Sequence, residues 1–295
     1  MNGSQESGVG SQAIESATHE SGPVPVTDHP SRSRIGAAFA RAKAEGRTAL
    51  LPFVTAGYPD MATCEAIVPA LVRGGADAVE IGVPFSDPLS DGTTIQRTSQ
   101  ASLENGTRLI DCLELVRRLR TTHGLTIPLI LMGYFNPFLR LGLERIVEEA
   151  TAVGADGFIV PDLPAEEAGE FAALCRSHGR DLIFLVAPTS TEHRLREVGA
   201  TGSGFVYCVS LTGVTGARDH LSPDLPAYIG RVRAATSLPL AIGFGISTAA
   251  HVRQVGQVAD GAIVASALIN YLDQFPKEEQ PARAEEFVRG LAAPA

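Results

Sequence analysis

The stretch Arg73-Gly-Gly-Ala-Asp-Ala-Val-Glu-Ile81 joins the end of a helical pattern to an apolar strand through the sequence Gly-Ala-Asp. The same form recurs at Ala152-Val-Gly-Ala-Asp-Gly-Phe-Ile-Val160, and a variant occurs at Val258-Ala-Asp-Gly-Ala-Ile-Val264. The glycine is expected to end the helix, because it readily adopts the left-handed backbone found at helix C-termini, and the aspartate to open the strand. The repeat predicts a chain built from helix-to-strand units.

Eight short apolar runs, bounded by Gly, Pro or Asp, are typical of parallel strands that are covered on both faces. They are Ala49–Thr55, Asp77–Val83, Ile127–Gly133, Gly157–Pro161, Leu182–Ala187, Gly204–Val209, Leu238–Gly243 and Gly261–Val264. The helical patterns between them include Cys64–Arg73, Leu109–Arg120, Leu143–Ala152, Glu166–Ser177, Glu192–Val198 and Ala249–Val258. This alternation predicts an α/β fold of the (β/α)8 TIM-barrel class, whose active sites lie at the carboxyl ends of the strands.

The segment before the first strand divides in two. Residues 1–32 are rich in Ser, Gly, Pro and Glu and lack the apolar run of a signal peptide, so we expect a disordered extension. Ile35–Ala44 is predicted to form an extra N-terminal helix. The expected organisation is therefore an extension at 1–32 and one catalytic barrel domain at 33–295.

Composition excludes several classes of function. The net charge of the 295 residues is −9 and no basic cluster occurs, which argues against nucleic-acid binding. No apolar run of about 18 residues predicts a membrane span. The cysteines are widely spaced and form no CxxC pair, which predicts reduced thiols in the cytoplasm and no zinc site; they are Cys64, Cys112, Cys175 and Cys208.

Two carboxylates stand out, Glu80 in the second strand and Asp91 in the loop after it. Alternation along the strand directs Val79 and Ile81 toward the helices and Glu80 toward the barrel interior. Burial is expected to raise the pKa of Glu80, whereas a hydrogen-bonded, partly wet loop is expected to leave Asp91 ionised. One site could then hold both a proton donor and a fixed negative charge. Two structural alternatives stay open: Glu80 can tie down a neighbouring strand, and Asp91 can be a helix N-cap.

Three loops with small residues follow the last three predicted strands, at Thr212-Gly-Val-Thr-Gly216, Gly243-Phe-Gly-Ile-Ser247 and Ala265-Ser-Ala267. Backbone N–H groups that converge in such loops hold phosphate without lysine or arginine. TIM barrels commonly place a phosphate site after strands seven and eight. The loops therefore predict a phosphorylated ligand.

Other residue types narrow the chemistry. The only lysines are Lys43, ahead of the barrel, and Lys277, beyond the last strand, which disfavours Schiff-base and covalent pyridoxal-phosphate chemistry. The histidines fall in the extension, in a loop, or in or beside helices, where surface positions are expected and no metal site is predicted. What remains is acid–base chemistry by carboxylates on a phosphorylated substrate whose own ring can accept electrons.

From about Ile35 to Gly290 the chain resembles the tryptophan synthase α-subunit family. The matching motifs are Pro52-Phe-Val-Thr-Ala-Gly-Tyr-Pro-Asp60, Glu80-Ile-Gly-Val-Pro-Phe-Ser-Asp-Pro-Leu-Ser-Asp-Gly-Thr-Thr-Ile-Gln96, Met132-Gly-Tyr-Phe-Asn-Pro137, Val160-Pro-Asp-Leu-Pro164, Gly213-Val-Thr-Gly216 and Gly243-Phe-Gly-Ile-Ser247. The resemblance implies a lyase of tryptophan biosynthesis that cleaves indole-3-glycerol phosphate to indole and glyceraldehyde 3-phosphate. It also implies a β-subunit partner in an α2β2 heterotetramer, with pyridoxal phosphate on the β subunit and no cofactor in this chain.

The resemblance further implies residue roles. Glu80 protonates C3 of the indole and assists loss of the side-chain hydroxyl proton, and Asp91 stabilises the positive charge that develops at the indole N–H. The implied substrate-binding residues are Phe53, Tyr134, Tyr207, Gly216, Gly245 and Ser266, and the implied partner contacts are Pro84, Asp87 and Asp162. Ala265 departs from the glycine that many relatives carry before the phosphate-binding serine.

Two other hypotheses remain. The chain can be another phosphate-binding barrel, such as an isomerase, an epimerase or an indole-glycerol-phosphate synthase, although the synthase needs barrel lysines that this chain lacks. It can also be a non-catalytic partner barrel that binds an indole or sugar phosphate and regulates another subunit. The presence of both Glu80 and Asp91 argues against the second hypothesis.

Overall fold

The computed structural model describes residues 33–210, 223–243 and 245–292 and contains a closed barrel of eight parallel strands. Each strand pairs with the next along the chain, and the last pairs with the first. The strands are β1 (Ala49–Thr55), β2 (Val79–Gly82), β3 (Leu129–Met132), β4 (Gly157–Ile159), β5 (Asp181–Val186), β6 (Val206–Val209), β7 (Leu240–Gly243) and β8 (Gly261–Val264). The TIM-barrel prediction is confirmed. The predicted extension at 1–32 lies outside the described residues.

The helices of the described chain cover the barrel, and they include several for which the sequence patterns gave no prediction. They are α1 (Arg34–Ala44), α2 (Met61–Gly74), α3 (Thr93–Glu104), α4 (Leu109–Thr121), α5 (Phe135–Leu141), α6 (Leu143–Val153), α7 (Gly169–Ser177), α8 (Glu192–Thr201), α9 (Leu225–Ala235), α10 (Ala249–Gly256), α11 (Ser266–Leu272) and α12 (Gln280–Ala292), with a 3-10 turn at Ala165–Glu167. The predicted N-terminal helix is present as α1.

Several strands are shorter than the apolar runs that predict them, because pairing needs backbone N–H groups at the strand entry. Pro128 and Pro239 precede β3 and β7 and have no N–H to donate. Their carbonyls instead accept hydrogen bonds from Val79 (3.0 Å) and Val206 (2.9 Å) on the neighbouring strands. The two prolines therefore mark where the hydrogen-bonded ladders of β3 and β7 begin.

A two-point hydrogen bond recurs at the amino end of the barrel. The Asp77 carboxylate accepts the N–H of Leu50 at 3.0 Å, and the Asp77 N–H donates to the Leu50 carbonyl at 2.8 Å. Asp156 makes the same pair of bonds with Leu129, at 2.8 and 2.9 Å. Each aspartate therefore joins the start of its own strand to the strand before it.

The same contact occurs in the second half of the barrel. Asp260 bonds Leu240 at 2.8 Å through its carboxylate and at 2.8 Å through its N–H. Ahead of β6 the hydroxyl of Ser203 replaces the carboxylate, and both of its bonds to Leu182 measure 3.0 Å. The contact thus links β1 to β2, β3 to β4, β5 to β6 and β7 to β8, which gives the barrel a fourfold repeat.

The Gly-Ala-Asp repeat owes its form to this contact. Gly75 and Gly154 end α2 and α6 with φ of 109° and 89°, as predicted for helix C-termini. The aspartates lie just before their strands, and their carboxylates bond the neighbouring strand instead of their own. The repeat therefore encodes barrel register as well as the helix-to-strand turn.

The apolar side chains form two clusters. The outer cluster lies between strands and helices and contains Val79 and Ile81, while the inner one fills the barrel. Helix α1 closes the amino end of the inner cluster, where the ring of Phe39 lies 5.4 Å from that of Phe205. This packing leaves the carboxyl end of the barrel available for a site.

Replacing Asp156 by alanine is expected to lower the free energy of unfolding by about 3 kcal/mol, because Arg120, whose guanidinium lies 2.5 Å away, would keep its buried charge without the carboxylate that compensates it. Asp260→Ala is the matched control. It breaks the same backbone bond, but its partner Arg233 is 41% exposed, so we expect a loss of about 1 to 2 kcal/mol. Urea titration measures both, and equal losses would contradict the argument.

Candidate active site

Glu80 lies on the inner face of β2, in register with Phe53 on β1. Its side chain is fully buried, and neither carboxylate oxygen has a hydrogen-bond partner in the described chain. Burial alone raises the pKa of Glu80 well above its usual range. The alternative in which Glu80 ties down a neighbouring strand is unsupported, since no bond to a described residue exists.

The ring of Phe53 closes one side of the Glu80 environment. A Cβ atom at Gly82 would lie 2.3 Å from Cζ of that ring, which no side chain can tolerate. Gly82 therefore lets the Phe53 ring cross from β1 over β2. This crossing excludes water from the strand that carries the acid, since Phe53 is itself buried.

Asp91 lies in the loop between β2 and α3, and the hydroxyl of Tyr134 donates to its Oδ2 atom at 3.2 Å. Burial raises the pKa of Asp91 to about 6, and the Tyr134 hydrogen bond opposes that rise. A pKa near 6 leaves Asp91 mostly ionised at neutral pH, in line with the predicted fixed charge, although its carboxylate is more buried than expected of a partly wet loop. The N-cap alternative is wrong: the cap of α3 is Gly92, and no side chain bonds there.

Tyr134 is fixed on two sides. Its hydroxyl accepts the N–H of Ser90 at 2.9 Å, and its ring stacks on Phe85 at 5.1 Å. Burial, followed by the charge of Asp91, raises the pKa of the phenol to about 12, so it stays a donor. Tyr134 and Phe53 line one mostly apolar pocket that opens to solvent, with Asp91 on its wall.

Tyr207 projects from β6 into the barrel interior and is buried. A Cβ atom at Gly243 on β7 would lie 2.3 Å from its hydroxyl oxygen, so the ring passes over this glycine. Burial, and then the charges of Glu80 and Asp91, raise the pKa of Tyr207 well above its usual range. The phenol is thus a neutral group within electrostatic reach of both acids.

The predicted phosphate residues are only partly described. Gly245 has φ of 80° in the loop after β7, and Ser266 begins α11 directly after β8. Because β7 and β8 are paired, these two exposed positions follow adjacent strands. Gly216 lies outside the described residues. Ala265 is the N-cap of α11, with φ of −117° and ψ of −87°.

One histidine, His251, is buried and contacts a loop of the candidate site, although the histidines were predicted at surface positions. His251 is on α10 but is 5% exposed, so its predicted surface position is wrong. Its Nδ1 atom accepts the N–H of Ser247 at 3.3 Å and lies 3.3 Å from the Ser247 hydroxyl. It therefore holds the loop that contains Gly245. The four-residue spacing between Ser247 and His251, which matches one helical turn, was the signal in the sequence that could have indicated this contact.

Helix α3 holds the loop after β2 through a polar face. The hydroxyl of Ser99 accepts the N–H of Phe85 at 2.8 Å and lies 3.1 Å from the Phe85 carbonyl. Beside it, the hydroxyls of Thr98 and Thr55 are 2.7 Å apart. These residues could not be identified from apolar periodicity, because the buried face of α3 consists of serine and threonine.

The predicted partner contacts differ in exposure. Asp87 and Asp162 are exposed, whereas Pro84 is buried within this chain. Asp162 also accepts the N–H of Phe135 at 2.9 Å, which fixes the start of α5. Leu89, which the sequence analysis did not identify, is 90% exposed on the same loop as Asp87.

The described residues contain neither a metal-binding cluster nor a membrane-spanning helix. In the ranges 33–210, 223–243 and 245–292, no three His, Cys, Asp or Glu side chains are placed to hold a metal ion. Within the same part of the chain, every helix is too short or too polar to cross a membrane.

Fold and site together define a class: a (β/α)8-barrel enzyme with a buried, unpaired acid and a second carboxylate at the carboxyl end of the strands. A family model described as "Tryptophan synthase alpha chain" matches residues 39–293. The chain belongs to the tryptophan synthase alpha chain family, whose members are lyases that cleave indole-3-glycerol phosphate.

Individual relatives agree with this assignment. The tryptophan synthase alpha chain of Roseiflexus sp. (strain RS-1) is 56% identical over 88% of this chain and 99% of its own length. That of Chloroflexus aurantiacus is 50% identical over 88% and 97%. A solved tryptophan synthase chain from Mycobacterium tuberculosis is 38% identical with a TM-score of 0.80, covering 89% and 99% of the two chains. The Legionella pneumophila alpha subunit is 34% identical with a TM-score of 0.81, covering 88% and 97%.

The unpaired Glu80 carboxyl predicts a stability that falls with rising pH. Unfolding exposes Glu80 and returns its raised pKa to its ordinary value near 4.5. Below that value both states are protonated; above it the unfolded state releases a proton that the folded state retains. Relative to Glu80→Gln, the wild type is therefore expected to lose about 1.4 kcal/mol per pH unit from 4.5 up to the raised pKa of Glu80, and to lose no more above it. Urea titrations from pH 4 to 8 measure this difference, and a difference that does not vary with pH would refute the assignment.

Proposed function

We propose that Glu80 and Asp91 together catalyse the cleavage of indole-3-glycerol phosphate in this chain. The observation that carries the proposal is the buried Glu80 carboxyl, which lacks a partner and faces the same interior as a second acid. The raised pKa favours the protonated form of Glu80, which a general acid requires. A non-catalytic binding barrel gives no reason for retaining such a costly group.

In the proposed reaction Glu80 donates its proton to C3 of the indole, and the ring becomes an iminium-like electron sink. The carboxylate then accepts the proton of the side-chain hydroxyl. The carbon–carbon bond breaks, its electron pair restores the indole ring, and the hydroxyl carbon becomes the aldehyde of glyceraldehyde 3-phosphate. Glu80 ends protonated as it began, so the step needs neither a lysine nor a metal.

Asp91 has the complementary role in this proposal. As an anion it accepts a hydrogen bond from the indole N–H and stabilises the positive charge that develops there. Tyr134 supports the ionised form, because its hydroxyl donates to the Asp91 carboxylate at 3.2 Å. The substrate ring would lie between Phe53 and Tyr134, which line the same pocket. Tyr207, electrostatically coupled to both acids, would border the reacting side chain.

The phosphate group is proposed to bind at Gly245 and Ser266, with Gly216 as a third contact. Support comes from the adjacency of the loops after β7 and β8 and from the positive φ of Gly245, which turns the backbone sharply. No side chain caps the N–H groups at the start of α11, so they can serve a ligand.

We propose that this chain binds no cofactor and that pyridoxal phosphate belongs to the partner. Lys277 supports this, since its ammonium group bonds the Asp60 carboxylate at 2.8 Å on the outside of the barrel. Lys43 lies on α1 at the opposite, amino end. Neither lysine is near Glu80, so neither can form a Schiff base in the pocket.

Alpha chains of tryptophan synthase imply a β-subunit partner. For this chain we propose an α2β2 heterotetramer in the cytoplasm. Exposed Leu89, Asp87 and Asp162 at the carboxyl end of the barrel support a docking surface around the pocket, and Pro84 would shape it from beneath. A cytoplasmic location is consistent with four free, buried cysteines.

Glu80→Gln is expected to reduce indole release about 10³-fold, as removal of a general acid does. Asp91→Asn is expected to reduce it about 10²-fold through lost charge stabilisation. Wild-type activity should fall as pH drops through about 6, because Asp91 becomes protonated. A spectrophotometric indole assay of the chain alone measures all three. Asp87→Asn, in the same loop, is the matched control, and unchanged release by either variant would refute the roles.

Indole release by the chain alone is expected to be slow and to accelerate when a β subunit is added. Leu89→Ser is expected to raise the β concentration needed for half-maximal acceleration about tenfold, because a buried leucine contributes about 1.5 to 3 kcal/mol. Titration of β into the indole assay measures this shift. An equal response of wild type and variant would exclude Leu89 from the interface.

A further inference from the structure

Three side chains from separate elements meet at the carboxyl end of the barrel. Tyr58 follows β1, Arg97 lies on α3, and Asp273 is the C-cap of α11. The Tyr58 hydroxyl donates to Asp273 at 2.8 Å, and Arg97 donates to the Tyr58 oxygen at 2.7 Å. Arg97 also pairs with Asp273 and lies 5.6 Å from the Tyr58 ring centroid. Every polar group of this cluster is thus bonded within it.

The elements joined here carry opposite ends of the proposed site. Asp91 lies two residues before the start of α3, and Ser266 is the first residue of α11. A second contact joins the same helices, since Thr94 donates to the Asn270 side chain at 3.3 Å. The relative position of α3 and α11 therefore sets the distance from the indole contact to the phosphate contact.

We propose that Tyr58, Arg97 and Asp273 act as positioning residues that fit the site to the length of its substrate. The inference rests on the proposed function, because it assumes that indole binds near Asp91 and phosphate near Ser266. Indole-3-glycerol phosphate carries these two groups at a separation limited by a three-carbon chain. A ligand of limited length gains from both contacts only when the two helices are held at a distance that it can span.

A merely structural role predicts a different result. Arg97 is 49% exposed and Asp273 26%, and ion pairs of this exposure contribute little to folding stability. Loss of the cluster should therefore leave the free energy of unfolding nearly unchanged. It should also leave unchanged the affinity for indole by itself and for inorganic phosphate by itself, since none of the three residues lies in the Asp91 pocket.

The test measures binding of unreactive indole-3-alkyl phosphates with two, three or four methylenes, and of indole and inorganic phosphate separately, to the full-length chain. Wild type is expected to bind the three-methylene compound most tightly. Arg97→Ala should weaken that binding about tenfold and flatten the preference for length, with indole and phosphate affinities unchanged within about twofold. Arg117→Ala, which breaks a comparably exposed ion pair on α4, should behave as wild type.

Kinetics provide a second readout. The KM for indole-3-glycerol phosphate should rise about tenfold in Arg97→Ala with a smaller change in kcat, because both acids stay in place. Arg97→Lys should rescue only part of the loss, since an ammonium group cannot reproduce the guanidinium fork. Tyr58→Phe keeps the ring and removes only the hydroxyl bonds, so it decides the question if Arg97→Ala does not fold.

The outcomes separate the two proposals. If wild type binds the three-methylene compound no more tightly than indole, the proposed function fails. If wild type prefers that length and the Arg97 and Tyr58 variants keep the same preference, the positioning role is overturned. A parallel loss of affinity for indole alone also overturns it, because such a loss indicates general disruption of the pocket.

Discussion

The two-point hydrogen bond at the amino end of the barrel is the constraint on which the active site depends. Asp77 bonds Leu50, and three residues further along both strands Glu80 stands opposite Phe53. A slip of one residue between β1 and β2 would turn Glu80 out of the barrel and bring Ile81 in. The aspartate therefore fixes, from the far end of the strand, which side chain faces the barrel interior.

Buried carboxylates at the two ends of the barrel have opposite consequences. At the amino end Asp156 is held by a backbone N–H and by arginines, so its charge is compensated and the fold gains stability. At the carboxyl end Glu80 is equally buried and has no described partner, so its ionised form is unfavourable. The desolvation that makes Glu80 a burden to folding also favours its protonated form, which its proposed role as a general acid requires. Charge compensation and the proposed chemistry are thus separated along the length of the strands.

Much of this architecture could be predicted, because it depends on local patterns. The bounds of β1 and β8, the closing helix α1 and the inward direction of Glu80 all follow from apolar periodicity. The environment of Asp91 could not be predicted, since its burial comes from Tyr134 and from walls contributed by other strands. His251 was missed for a related reason: its partner Ser247 is close in sequence, but its burial arises from tertiary packing.

Residues without side chains are as important to the site as the two acids. The rings of Phe53 and Tyr207 each cross a neighbouring strand at a glycine, Gly82 and Gly243 respectively, where a Cβ atom would clash at 2.3 Å. Because neither glycine has a side chain, each ring can lie across the neighbouring strand, in space that a Cβ atom would occupy. Both rings are buried, and they fill the barrel interior that also contains Glu80. This apolar packing agrees with burial as the cause of the raised pKa of Glu80.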